Sequence, residues 1–454
     1  MTDAWLPDLS RGGGAKYQAI AAALDAAVAR GQLRPGDRLP PQREVAARLG
    51  VDLTTVTRAY EAARSRGLIE ARGRAGSFVA GPAPDAPPPP AIDTGMNMPP
   101  EIPDGLLRRA ITESTAALLA GGGMNWLHYA PAGGTPQDRA AGAALLSARG
   151  LASAEEQVIV SAGGQNALHA ILSTTLRAGD TVACGQFVYP GFRALAERLG
   201  LILLPLPRLD AAAIEAACSH GGSVQALYVV PTNDNPTTVT LREGDREAIA
   251  LTARRHDLQV IEDDAYGLLA HAPIRPIAAF APERSWYVAS LSKIITPALR
   301  VAYVRAPSVA GALRLAADMH ETAIMAPPLN AAMATRWLAD GTFERLVTAM
   351  RAEIAWRQEL ADSLLGDVAR QRSAEGYHLW LPLPDQRAAD DLVSAMQLHG
   401  LSVIAAARFA VGSGGGQAVR VSLGGPGDRE RLARVLRVLH GYVSQPTGKA
   451  MALV

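Results

Sequence analysis

The feature that most constrains this chain is a rhythm. Between residues 158 and 304 seven short apolar runs (158–160, 181–183, 201–204, 226–230, 258–261, 286–289 and 301–304) alternate with stretches of helical periodicity. Uninterrupted apolar strands separated by helices predict an α/β fold: a mostly parallel sheet with both faces covered. Ligands of such sheets bind beyond the carboxyl ends of the strands. The polar clusters of this sequence fall at those ends.

The most pointed cluster is Ser290-Leu291-Ser292-Lys293, followed by Arg300. It comes just after the 286–289 run, so the lysine is delivered at a strand end. An amine held in a partly dry pocket loses its proton readily and forms a Schiff base with an aldehyde, the way pyridoxal 5'-phosphate (PLP) is attached to proteins. The nearby hydroxyls and guanidinium suit its phosphate. Alone, the motif also fits a lysine in a surface turn. What decides is the set upstream. Ser161-Ala162-Gly163-Gly164-Gln165 opens a helix, where free N–H groups and close backbone approach favour an anion. Tyr189 ends the next strand and offers a flat ring. Asn235 lies in an Asn-Pro loop that fixes its amide. Glu262-Asp263-Asp264 places three acids at a buried strand end, which is costly unless a cation such as a protonated pyridine nitrogen pairs with one of them.

The N-terminal segment has a different pattern. Helical spacing over 15–29 is followed by Gly36-Asp37-Arg38-Leu39-Pro40-Pro41-Gln42-Arg43, a short helix, a turn at Gly50, and a second helix from about Asp52, which is placed to cap it. Thr54, Thr55, Thr57 and Arg58 occupy polar positions of that second helix and suit phosphate and base-edge contacts in a major groove. Two short strands over 70–79 bracket a basic glycine turn carrying Arg72 and Arg74, the layout of a wing. Residues 81–100 are proline-rich and read as a semi-rigid spacer. The sequence thus divides into 1–80, the spacer 81–100, a large α/β domain 101–340 and a small α+β domain 341–454.

Composition narrows the class. Of 454 residues 48% are hydrophobic, and the net charge of +1 gives no overall field that would draw nucleic acid. Residues 1–80 nonetheless carry 12 Lys/Arg against 8 Asp/Glu. Cys184 and Cys218 lack metal-ligand spacing, no metal site is expected, and no apolar run reaches the length of a membrane span. The chain reads as soluble and cytoplasmic.

In wording as well as pattern, residues 33–79 resemble the winged helix-turn-helix of GntR-type regulators, in which Arg43 matches a DNA-contacting position. Residues 100–440 resemble the fold type I aminotransferases. By matching position, that resemblance implies that Lys293 attaches PLP, Asp263 pairs with the pyridine nitrogen, Asn235 and Tyr266 hold the ring hydroxyl oxygen, and Tyr189 stacks on the ring. Gly164, Gln165, Ser290 and Arg300 would bind the phosphate, which Tyr129 would reach across a head-to-tail homodimer interface. Arg420 would grip a ligand carboxylate. Two positions depart from the pattern: Thr238 stands where a glycine is usual and Asp138 where a leucine is usual. The whole chain resembles the MocR (GabR-like) regulators, which implies a homodimer that binds double-stranded operator DNA and senses an amino-compound effector, or PLP itself, at Lys293. An active aminotransferase carrying a DNA-binding domain is the alternative.

Overall fold

A computed structural model describes residues 5–7, 9, 15–34, 36–66, 68–71, 76–80, 95–121, 124–219, 223–383, 386–412, 417–425 and 428–444. The chain divides into two compact units, 1–92 and 93–454.

In the first unit, α1 (Lys16–Ala29), α2 (Gln42–Leu49) and α3 (Leu53–Ser65) are followed by strands β1 (Ile69–Ala71) and β2 (Ser77–Val79). Ile20, Leu24, Val45, Val56, Ala59, Tyr60, Ile69 and Val79 build its core. Gly50 turns the chain between α2 and α3 in the left-handed region at φ 60°, where a side chain would be strained. Asp52 sits at the N-cap of α3, but its side chain makes no capping hydrogen bond. Strands β1 and β2 pair antiparallel, with Glu70 opposite Phe78. The tip between them, with Arg72 and Arg74, lies outside the described residues.

The second unit carries β3 (Val158–Ser161), β4 (Thr181–Gly185), β5 (Ile202–Leu206), β6 (Val224–Val229), β7 (Gln259–Asp263), β8 (Ser285–Ser290) and β9 (Ala302–Arg305). They form one sheet in the order β3-β9-β8-β7-β6-β4-β5. Every pairing from β5 through β8 is parallel, and β9 runs antiparallel to both of its neighbours. This is the doubly covered α/β sheet that the rhythm of apolar runs predicts. Separate apolar clusters back its two faces. A second, antiparallel sheet of β10 (Gln371–Arg372), β11 (His378–Pro382), β12 (Val403–Ala405) and β13 (Ala418–Ser422) has the order β10-β11-β13-β12. One cluster running from Ile102 to Leu439 joins the regions around both sheets, so residues 93–454 pack as one body. Residues 95–100 belong to it, and the proline-rich spacer ends earlier than the sequence suggested.

One of the two departures from pattern has a local cause. Asp138 closes a capping box at the start of helix Pro136–Ala148: its backbone N–H donates to Thr135 Oγ1 at 3.2 Å, and its Oδ2 accepts from the Thr135 N–H and hydroxyl. Its Oδ1 accepts from the Thr335 hydroxyl at 2.6 Å. Thr238 adopts φ 65°, which explains why glycine suits that place.

Among the described residues no helix is long and apolar enough to cross a membrane. None of their His, Cys, Asp and Glu side chains form a group of three or more that could hold a metal ion.

Candidate functional site

The carboxyl ends of β3, β4, β6, β7 and β8 gather the expected residues at one end of the sheet. Lys293 follows β8 by one turn of chain. Its ammonium donates to the Asn97 carbonyl at 2.7 Å. Burial, and then the Arg420 and Arg300 charges, hold its pKa down at about 8, with Asp263 opposing them. This is the dry, reactive amine that the strand-end placement predicts. The chain contains only three lysines, Lys16, Lys293 and Lys449.

The strand pleat sorts the three consecutive acids. Glu262 accepts from the N–H groups of Ile277 and Ala278, both at 2.8 Å, at a helix start. Asp264 accepts from the Tyr287 hydroxyl at 2.7 Å and from Arg149 at 3.3 Å. Asp263, on the opposite face, accepts from the Tyr228 hydroxyl at 3.0 Å. Burial raises its pKa to about 6, and Lys293 is the cation that opposes the shift. A buried carboxylate held by a tyrosine is suited to a cationic ring nitrogen.

The glycine-rich end is a cradle. Helix Gly164–Thr175 begins after Gly163, whose φ is 85°. A Cβ at Gly163 would lie 2.9 Å from the Arg300 guanidinium, and one at Gly164 would meet Ser290 at 3.4 Å. Arg300 donates to the Ala162 carbonyl at 2.8 Å. Gln165 donates to the Gly191 carbonyl at 3.1 Å, while its buried Oε1, like Ser292 Oγ, has no hydrogen-bond partner. The Tyr189 ring folds over Gly191, where a Cβ would come within 2.4 Å of it. After burial, the charges of Asp263 and Arg300 are the main influences on the Tyr189 hydroxyl. These features, a buried acid acting on a buried lysine, a glycine cradle under an arginine and orphaned polar atoms, fit PLP.

Asn235 and Arg420 meet directly: the guanidinium donates to Asn235 Oδ1 at 3.2 Å and to the Gly95 carbonyl at 2.8 Å. Arg246, fully buried, donates to the Pro231 and Leu241 carbonyls and pins the loop that carries Asn235. Tyr129 stands apart from the site residues on the surface, 84% exposed.

Three residues of this site were not singled out in the sequence. Tyr228 was read only as part of an apolar strand. His378 donates from Nε2 to the Asp234 carbonyl at 3.1 Å, and burial, followed by the Arg420 charge, lowers its pKa to about 3, so it is neutral. Asn97, 1% exposed, lies within the stretch read as spacer. Its side chain bonds Tyr266, His378 and Ser422. The lone Gly95-Met96-Asn97 among the prolines was the available signal.

In the first unit Arg43, Thr54 and Arg58 are exposed and Thr55 is half-buried. Thr57 is also half-buried, and its hydroxyl lies 2.9 Å from Gln42 Oε1 and 3.0 Å from the Leu53 carbonyl, tying α3 to α2.

Residues 101–439 match the family of class I and II aminotransferases, and the chain belongs to that family. More particularly, residues 16–79 match the gntR family of bacterial regulatory proteins, so the chain joins the two modules as the MocR-type regulators do. It is 28% identical to the uncharacterized HTH-type transcriptional regulator YdeF of Bacillus subtilis over 98% of this chain and 97% of that protein. It is also 28% identical to the probable rhizopine catabolism regulatory protein MocR of Rhizobium meliloti, over 82% of this chain and 80% of that one. The fold of the second unit is that of LysN, the alpha-aminoadipate aminotransferase of Thermus thermophilus, with a TM-score of 0.68 and 24% identity over 77% of this chain and 90% of that one.

Proposed function

We propose that this protein is a transcription regulator that binds operator DNA through its N-terminal unit and responds to a small amino compound, or to PLP itself, bound at Lys293. The observation that carries the reading is the presence on one chain of a GntR module and of a buried, low-pKa lysine facing Asp263. PLP, when bound, supplies an aldehyde reactive toward amines and an electron-withdrawing ring. The protein's part is to hold and orient it. Lys293 keeps its amine largely unhydrated, Asp263 favours a proton on the ring nitrogen, and Tyr189 covers the ring. Asn235 and Tyr266 face the ring oxygen. Gly164, Gln165, Ser290 and Arg300 take the phosphate, joined by Tyr129 of a second copy in a head-to-tail homodimer. The planar fork of Arg420 suits a carboxylate on the ligand, so an amino acid is the favoured effector class.

On DNA, Arg43, Thr54, Thr55 and Arg58 contact phosphates and base edges, with Arg72 and Arg74 of the wing alongside. The effector changes DNA binding only through its unequal affinity for two arrangements of the dimer.

A second reading, turnover of the amino compound, is favoured by the same lowered Lys293 pKa, which suits a proton carrier at the ligand's α carbon. One experiment separates the two. The PLP-loaded protein is titrated with amino acids while the visible absorbance, keto-acid release and binding to its own promoter DNA are followed. A ligand that shifts the band and changes DNA affinity without product supports the sensor; steady product without any effect on DNA binding refutes it.

A further inference from the structure

Asn97 is the best-determined polar group in the site, because every neighbour leaves its amide one orientation. The Ser422 oxygen accepts from the Gly424 N–H at 3.3 Å and donates its own hydrogen to Asn97 Oδ1, with 2.8 Å between the two oxygens. His378 is neutral and fully buried, and the Asp234 carbonyl, which can only accept, takes the hydrogen on its Nε2. His378 Nδ1 is therefore an acceptor and faces Asn97 Nδ2 at 3.2 Å. One hydrogen of that amide goes to His378 and the other to the Tyr266 oxygen at 2.9 Å. Having accepted, Tyr266 keeps its own hydrogen to give away. Tyr377, close by, sends its hydrogen to the Lys293 carbonyl at 3.1 Å, and its oxygen is a neutral acceptor. An anionic ring oxygen is the stronger one.

We infer that Asn97 is a positioning residue that fixes Tyr266 as a hydrogen-bond donor toward the oxygen on the cofactor's ring, with the acceptor Nδ1 of His378 setting the polarity of the chain. The inference rests on the reading that PLP binds at Lys293. Its consequence is spectroscopic. A hydrogen bond donated to that oxygen favours the form in which the lysine nitrogen has lost its proton, because the oxygen's charge is then otherwise uncompensated. The other charges acting on Tyr266 are those of Arg420, Asp263 and Asp234, and those acting on Lys293 are Arg420, Arg300 and Asp263. None of these is altered by truncating Asn97.

The test uses the full-length PLP-loaded protein. The pH midpoint of its visible band is measured in the parent, Asn97→Ala, Ser422→Ala and Tyr266→Phe. Loss of one neutral donor should raise the midpoint by about half to one pH unit in Asn97→Ala, in the direction of Tyr266→Phe. Ser422→Ala, which leaves both amide donors in place, should stay with the parent. A midpoint in Asn97→Ala equal to the parent's overturns the inference, as does an equal shift in Ser422→Ala, which would mark general loosening. If Asn97→Ala does not fold, Asn97→Asp, which presents an acceptor to Tyr266, must raise the midpoint or the inference fails. A parent without a visible band after incubation with PLP overturns the cofactor reading itself.

Discussion

Lys293 should capture PLP with a pH profile no ordinary lysine gives. With its pKa lowered from 10.5 to about 8, roughly one molecule in ten carries a neutral amine at pH 7, against roughly three in ten thousand for an unperturbed lysine, an advantage of about 300-fold. Since only the neutral amine attacks an aldehyde, the capture rate should climb about tenfold per pH unit and level off above about pH 8. The assay mixes cofactor-free protein with PLP across that range and follows the visible band. Borohydride trapping and peptide mass analysis then identify the lysine, an easy assignment among three. Two substitutions move the plateau in opposite senses. Arg420→Gln removes a like charge and shifts it upward, whereas Asp263→Asn removes the one opposing charge and shifts it downward. A rate that keeps rising to about pH 10, or label on Lys16 or Lys449, would refute the argument.

Three further outcomes are expected. Asp263→Asn should weaken PLP binding yet stabilise the cofactor-free protein: a carboxyl raised from 3.8 to about 6 contributes stability below its unfolded pKa that is lost as pH rises through about 6. The gain, about 2 to 3 kcal/mol at pH 8 and vanishing below about pH 4, is readable by denaturant titration of the two proteins. Asp138→Ala removes a capping box and the acceptor of Thr335 and should cost about 1 to 3 kcal/mol in the same titration. Arg43→Ala should weaken promoter binding and lower the slope of log affinity against log salt by about one, with PLP absorbance unchanged, as fluorescence anisotropy can measure.

The sheet was legible because strands buried on both faces must be apolar throughout, and the seven runs carry that requirement undiluted. The site was legible where its chemistry needs an unusual residue at a strand end: a lysine after β8, an acid at the end of β7, glycines after β3. Which of three adjacent acids faces the site was carried by the resemblance; the two-residue pleat, Arg149 and the Ile277 N-terminus supply the reason. Asn97 and His378 were illegible for another reason. Their roles come from partners between 144 and 325 residues away, and neither sits in a local pattern that demands its type. The tie of Thr57 to Gln42 was illegible because a hydroxyl on a polar helix face gives no sign of a partner on a neighbouring helix.

Asn97, whose carbonyl holds the Lys293 amine, lies five positions beyond Ile92, where the N-terminal unit ends. Any molecule that claims that amine must first take it from the root of the connection between the units. Occupation of that amine is therefore registered first on a backbone carbonyl at the start of the larger unit, ahead of any change in its packed interior.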